Sequence, residues 1–177
     1  MRVYCEQENW MDSHGSSAMA ISIDNLTVNF DHLDQSKILE DWEWLIGTSK
    51  FPVLITAVGD VFVKDVRDGS IHFLTVENAE IRPIASDLEE FKSLLTDKAF
   101  VFDYFAVEAV AALEDAGVKL EPGQIYSLKV PAVLGGKYQL DNIAPTLILV
   151  HFSLTGQIHE QVKDLPPGTK ITGFKIN

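Results

Sequence analysis

Two histidines, His151 and His159, are the residues of this chain that most invite a chemical reading. Their spacing of eight residues is about two helical turns, too long for the i, i+4 pair that grips a metal, and the single cysteine, Cys5, lies far away in sequence. Ser153 stands beside His151, but no G-x-S-x-G elbow surrounds it, so nothing activates it as a nucleophile. The acid pairs Glu89-Glu90 and Glu114-Asp115 fall in helix turns and read as solvated faces rather than as the paired carboxylates of a glycosidase. In Leu134-Gly135-Gly136-Lys137, Tyr138 follows the lysine where a phosphate loop needs Ser or Thr. That stretch reads as a backbone turn with positive φ at one glycine and Tyr138 packed beneath it. The expectation is a protein that is not an enzyme, with no cofactor and no metal.

The elements that position these residues can be read in outline. A chain of 177 residues with 46% hydrophobic and 23% charged residues carries one core and at most a short appendage. Residues 1–20 lack periodicity and read as a flexible leader, with Met19 a natural alternative start; residues 21–177 read as a single α+β domain. From Asp31 the stripe Leu33, Ile38, Leu39, Trp42 and Leu45 predicts a helix ending at Gly47. Runs Val53–Val58, Asp60–Val66 and Ser70–Glu77 predict an antiparallel meander. In it Val61, Val63, Ile71 and Phe73 face the core, and Lys64 and His72 face water. Ser86 and Glu89 suggest a capping box opening a helix through Leu95, and a second helix is expected over Asp103–Ala116. Gln124–Val130 reads as a strand, Pro131–Asn142 as a loop, Thr146–Phe152 as strand or helix start, and Leu154–Val162 as a helix. Together they make an α+β fold with a central, mostly antiparallel sheet flanked by helices.

Charge narrows the partners. Against 26 Asp and Glu stand 14 Lys and Arg, a formal −12 that disfavours nucleic acid and anionic membrane and suits a basic protein. No apolar run approaches the ~20 residues of a membrane span. The lone cysteine precludes an internal disulfide, consistent with a reducing, cytoplasmic setting. The acidity is uneven: residues 1–121 hold 23 of the 26 acids and 9 of the 14 bases, whereas 122–177 hold 3 acids and 5 bases.

Several segments carry a resemblance. Val133-Leu134-Gly135-Gly136-Lys137-Tyr138, Asp141-Asn142, His151 to His159 with its Gly156-Gln157, and Leu165-Pro166-Pro167-Gly168 resemble the Tdi immunity protein C-terminal domain family. Upstream, Gly59 to Val63, Gly69 to Leu74 and Ile84 to Phe91 are similar to that family and to the broader Smi1/Knr4-related immunity superfamily. The likeness spans about residues 36–171 and lacks the N-terminal GAD-like domain of many such proteins. It implies a Smi1/Knr4-like fold without catalytic residues, linked to type VI secretion, that neutralises a co-encoded DNase toxin.

The leading expectation is therefore a cytoplasmic immunity protein that occludes a basic nuclease toxin without binding nucleic acid or membrane itself. Its exposed acids Asp60, Asp65, Asp68, Glu77, Glu89 and Glu90 would mimic a phosphate track. An alternative is a small-ligand or enzymatic site built on Lys137, Tyr138, Asn142, Gln157 and His159, which a shared pocket would favour and separate hydrogen bonds would disfavour. A third is an interaction scaffold with no toxin partner.

Overall fold

The computed structural model describes residues 21–166 and 168–176; the leader assigned to residues 1–20 lies outside them. The chain opens with α1 (Ile23–Leu26) and β1 (Thr27–Val28), followed by α2 (Gln35–Ile38), a 3-10 turn (Glu40–Trp42) and α3 (Glu43–Ile46). A meander follows: β2 (Lys50–Thr56), β3 (Val61–Asp65), β4 (Ile71–Thr75) and β5 (Glu80–Ala85). With β1 it forms one sheet in the order β1-β2-β3-β4-β5, every pair antiparallel. Helices α4 (Leu88–Leu94), α5 (Lys98–Tyr104) and α6 (Val107–Asp115) come next. Then β6 (Gln124–Leu128) and β7 (Ile143–Leu147) pair as a second antiparallel sheet, and α7 (Ile148–Val162) closes the described elements. The expected α+β class with a central antiparallel sheet and flanking helices is the class observed.

The sheet departs from the alternation read in the sequence, because neither of its faces is open to water at the centre. Phe62, Ile71 and Phe73 join Phe91, Leu95, Val101, Phe105, Val110 and Leu113 in one cluster under α4, α5 and α6. Val61, Val63 and Leu74 join Ile38, Trp42, Ile148 and Phe152 in a second cluster on the other face. Val61 and Val63 therefore point away from Ile71 and Phe73, and Lys64 and His72 are half-buried rather than exposed. Two helical layers cover the sheet, so β3 reads as a nearly continuous apolar run.

Local elements shift for tertiary reasons. The helix expected from Asp31 breaks into α2, the 3-10 turn and α3, with Gly47 at φ +73° ending the last as predicted. The helix expected over Asp103–Ala116 is two, hinged at Ala106 (φ +49°). In one straight helix Phe105 and Val110 would project about 140° apart; the hinge lets both enter the same cluster. The cap of α4 is Asp87, which accepts from the Glu90 N–H at 2.9 Å, while the Ser86 N–H and hydroxyl both donate to the Glu90 carboxylate at 2.7 Å. The box is real but displaced by one residue. Strand β5 was not foreseen, because Pro83 argues against a strand; an edge strand tolerates it.

Candidate functional site

The segment from His151 to His159 forms most of α7, and nearly every polar group on it is engaged in holding the fold. His151 is buried, with Nδ1 2.8 Å from the Ser127 hydroxyl and Nε2 3.1 Å from the Gly59 carbonyl, so it ties α7 to β6 and to the β2–β3 turn. The Trp42 indole N–H donates to the Phe152 carbonyl at 2.9 Å, and the Ser153 hydroxyl donates to the Asp41 carboxylate at 2.6 Å. Gln157 reaches the same Asp41 oxygen at 3.3 Å and Ser153 at 3.0 Å. A Cβ on Gly156 would stand 2.5 Å from the Asp41 carbonyl oxygen, so only glycine lets helix and turn approach this closely. The His159 ring lies 5.5 Å from that of Trp42. The pairings of Asp41, Trp42, Gly59 and Ser127 with α7 are what sequence reasoning missed; Trp42 stood out only as an apolar stripe residue and Gly59 only within the resemblance.

The glycine loop is equally structural. Gly135 has φ +89°, and a Cβ on Gly136 would sit 1.7 Å from the Val130 carbonyl oxygen. Asn142 locks the loop: its Oδ1 accepts from the Val130 N–H, and its Nδ2 donates to the Val130 and Lys137 carbonyls at 3.1 and 3.0 Å. Leu134 ends the short 3-10 turn Ala132–Leu134 that leads into Gly135, and Lys137 is exposed.

Tyr138 and His159 meet at a cavity of about 30 Å³ lined also by Asp60, Glu77, Ser127 and His151. That volume suits one water, whereas metabolite sites run to roughly 300 Å³ and above. The five residues of the alternative site are therefore split: Asn142 and Gln157 serve separate hydrogen bonds, Lys137 is outside, and Tyr138 and His159 share a space too small for a ligand.

Electrostatics at this cavity run in opposite directions. Burial pushes the Asp60 carboxyl up to about 7; the Val76 N–H, bonded at 2.8 Å, opposes the rise, Glu77 adds to it and Arg82 opposes it. Burial also raises Glu77, against its hydrogen bond with Tyr138, and raises the Tyr138 phenol. Burial pulls His151 down to about 4, and lowers His159 against hydrogen bonds to the Val76 and Glu77 backbone. Between about pH 4 and 6.5 the unfolded chain holds a proton that folded His151 lacks, so this term loses stability as pH falls. From about pH 4 to 7 folded Asp60 holds a proton that the unfolded chain lacks, so its term loses stability as pH rises. Asp60→Asn should thus gain on wild type as pH climbs from 4 to 8, by roughly 4 kcal/mol at about 1.4 kcal/mol per unit of pKa displacement. Urea midpoints across that range give the answer, and a pH-independent difference would contradict the assignment.

The six acids expected as one exposed track do not form one. Asp65 is 2% exposed, ion-paired with Lys50 at 3.1 Å and Arg67, and held well below the usual carboxylate range by its Arg67 hydrogen bonds. Asp60 is tucked against Val76 and is largely uncharged below its raised pKa. Glu77 is half-buried beside Tyr138. These corrections share a cause: turn and strand-end carboxylates satisfy local N–H groups and cations before they face solvent. Asp68, Glu89 and Glu90 are exposed, at the sheet end opposite Asp60 and Glu77.

Residues 85–159 match the family described as T6SS immunity protein Tdi1, C-terminal. The Tdi1 match begins at the end of β5 and runs through α4, α5, α6, β6, the glycine loop and β7 to His159. It covers the loop and the α7 segment that carried the resemblance, and leaves the Gly59 and Gly69 turns outside. No curated protein matches the chain. Among solved structures it is similar to the crystal structure of Atu4351 from Agrobacterium tumefaciens at 18% identity and a TM-score of 0.46, covering 71% of this chain. The chain spans 65% of the length of that protein. Among the described residues no helix is long and apolar enough to cross a membrane.

Proposed function

We propose that this protein is a type VI secretion immunity protein that binds a cognate effector toxin and occludes it, and that the effector is a basic nuclease acting in the cytoplasm. The observation that carries the reading is the Tdi1 match over residues 85–159. Its segments hold the fold together instead of converging on a reactive centre, so activity by contact is the economical interpretation. The concentration of 23 acids in residues 1–121 supports a basic partner, whose encounter such a field accelerates. In this reading residues 21–177 act as one unit, and the chain touches neither DNA nor membrane. Asp68, Glu89 and Glu90 supply part of the attracting surface.

Co-production with the product of the neighbouring gene tests this. The expected result is a complex stable to gel filtration, with plasmid DNA degraded by the partner alone and spared when the immunity chain is present. A neighbouring product that is neither toxic nor bound would overturn the reading.

A further inference from the structure

Two clefts, of about 340 and 610 Å³, flank β1 and share Asp24, Thr27, Val28 and Asn29 as common lining. The smaller is walled by Leu54 of β2 and by Phe91 and Leu95 of α4. The larger is walled by Glu114 of α6, by Leu120 and Glu121 in the α6–β6 connection, and by Tyr126 of β6. Between them β1 ends the sheet, pairing among the described strands only with β2. The opposite edge, β5, is blunted by Pro83 and flanked by Glu80 and Arg82; β1 carries neither proline nor charge. The two clefts thus adjoin a strand edge that is unpaired among the described residues, with apolar patches in their walls.

Their charge is one-sided. Among the described residues, Asp24, Glu114 and Glu121 line the clefts with one lysine, Lys119. Glu114 is positioned by the Asn25 amide, which donates to it at 2.8 Å. Carboxylates along concave, partly apolar walls focus the field felt by a cation.

We propose that this groove receives an extended, arginine- or lysine-bearing segment of the effector, its backbone against β1 and its cationic side chains in the two clefts. The inference rests on the reading of the protein as an immunity protein with a basic partner, and places the contact on a different part of the surface from the acids picked out in the sequence. Main-chain pairing at a strand edge with side chains in flanking pockets is an established mode of peptide capture.

The test uses the full chain and a ten-residue peptide of alternating arginine and glycine, followed by backbone amide NMR and fluorescence anisotropy near physiological salt. The variants are Asp24→Lys/Glu121→Lys and, as an equal change of charge outside the groove, Glu160→Lys/Asp164→Lys on and just beyond α7, each confirmed folded by circular dichroism. We expect shifts centred on Thr27, Val28 and Asn29, at least tenfold weaker binding in the groove variant and less than twofold change in the other. Equal loss in both, or no binding to the wild-type groove, overturns the proposal. The same variants are then mixed with the neighbouring gene product. If that protein binds wild type and both variants alike, the groove is wrong while the immunity reading stands. If it binds none of them, the immunity reading fails, and the peptide result still decides the groove.

Discussion

Gly156→Ala is expected to destabilise the protein by about 3 kcal/mol, lowering the melting temperature by roughly 10 °C. The sign is the informative part. Inside a helix, alanine is favoured over glycine by about 1 kcal/mol, so on propensity alone the substitution would stabilise α7. The structure predicts the reverse, because the new methyl would stand 2.5 Å from the Asp41 carbonyl oxygen and 2.8 Å from its carbon. Both are backbone atoms that cannot rotate aside. Relief requires α7 to withdraw from the 3-10 turn, which lengthens the Trp42–Phe152 hydrogen bond and loosens the Ser153–Asp41 contact. Gly173→Ala, with nothing within 4 Å of the added methyl, is the matched control and should be nearly neutral. Thermal and urea unfolding of both variants decide the matter, and a stabilised Gly156→Ala would show that α7 is not seated on Asp41.

Phe62→Ala should cost about 3–5 kcal/mol. Phe62 is fully buried, with its ring centre 4.6 Å from Phe73, 4.7 Å from Phe91 and 5.5 Å from Phe105. It thus joins β3, β4, α4 and the end of α5 in one contact set. Truncation leaves a cavity lined by rings whose positions are fixed by their own strand and helices, so little collapse can offset it. Phe62→Leu should lose distinctly less. Because Gly156 and Phe62 lie on opposite sides of the sheet, the double variant Phe62→Leu/Gly156→Ala should be additive within about 0.5 kcal/mol in urea. Strong coupling would mean that the two clusters do not behave as separate layers.

The segments that carry the resemblance show why fold and function are unequally legible in this chain. The loop at Gly135-Gly136 and the stretch around Gly156 were recognisable because their residue types are unusual and ordered along the chain. What makes them unusual is close approach: Gly136 against the Val130 carbonyl, Gly156 against that of Asp41. A glycine declares that space is short without saying what fills it. His151 could be separated from metal chemistry by spacing alone, but its real partners, Gly59 and Ser127, lie 92 and 24 residues away, and nothing in the sequence pairs them with it.

The same limit governs the acids. Their number and their concentration before residue 122 are properties of the chain, and they already disfavour nucleic acid as a direct partner. Whether a given carboxylate faces outward depends on neighbours supplied by folding. Asp65 meets Lys50 and Arg67 and is buried; burial pushes Asp60 toward neutrality against the Val76 N–H; Asp24, Glu114 and Glu121 converge on a groove from elements far apart in the chain.

By itself, then, the order of residues determined the α+β class, the meander and its turns, and the acidic balance, since each follows from local periodicity, backbone freedom or composition. Only the tertiary structure decided that the sheet is covered on both faces, that the helices near Trp42 and Ala106 break, and which carboxylates remain on the surface. Those outcomes depend on burial and on close contacts between distant segments, and such contacts exist only once the layers have packed.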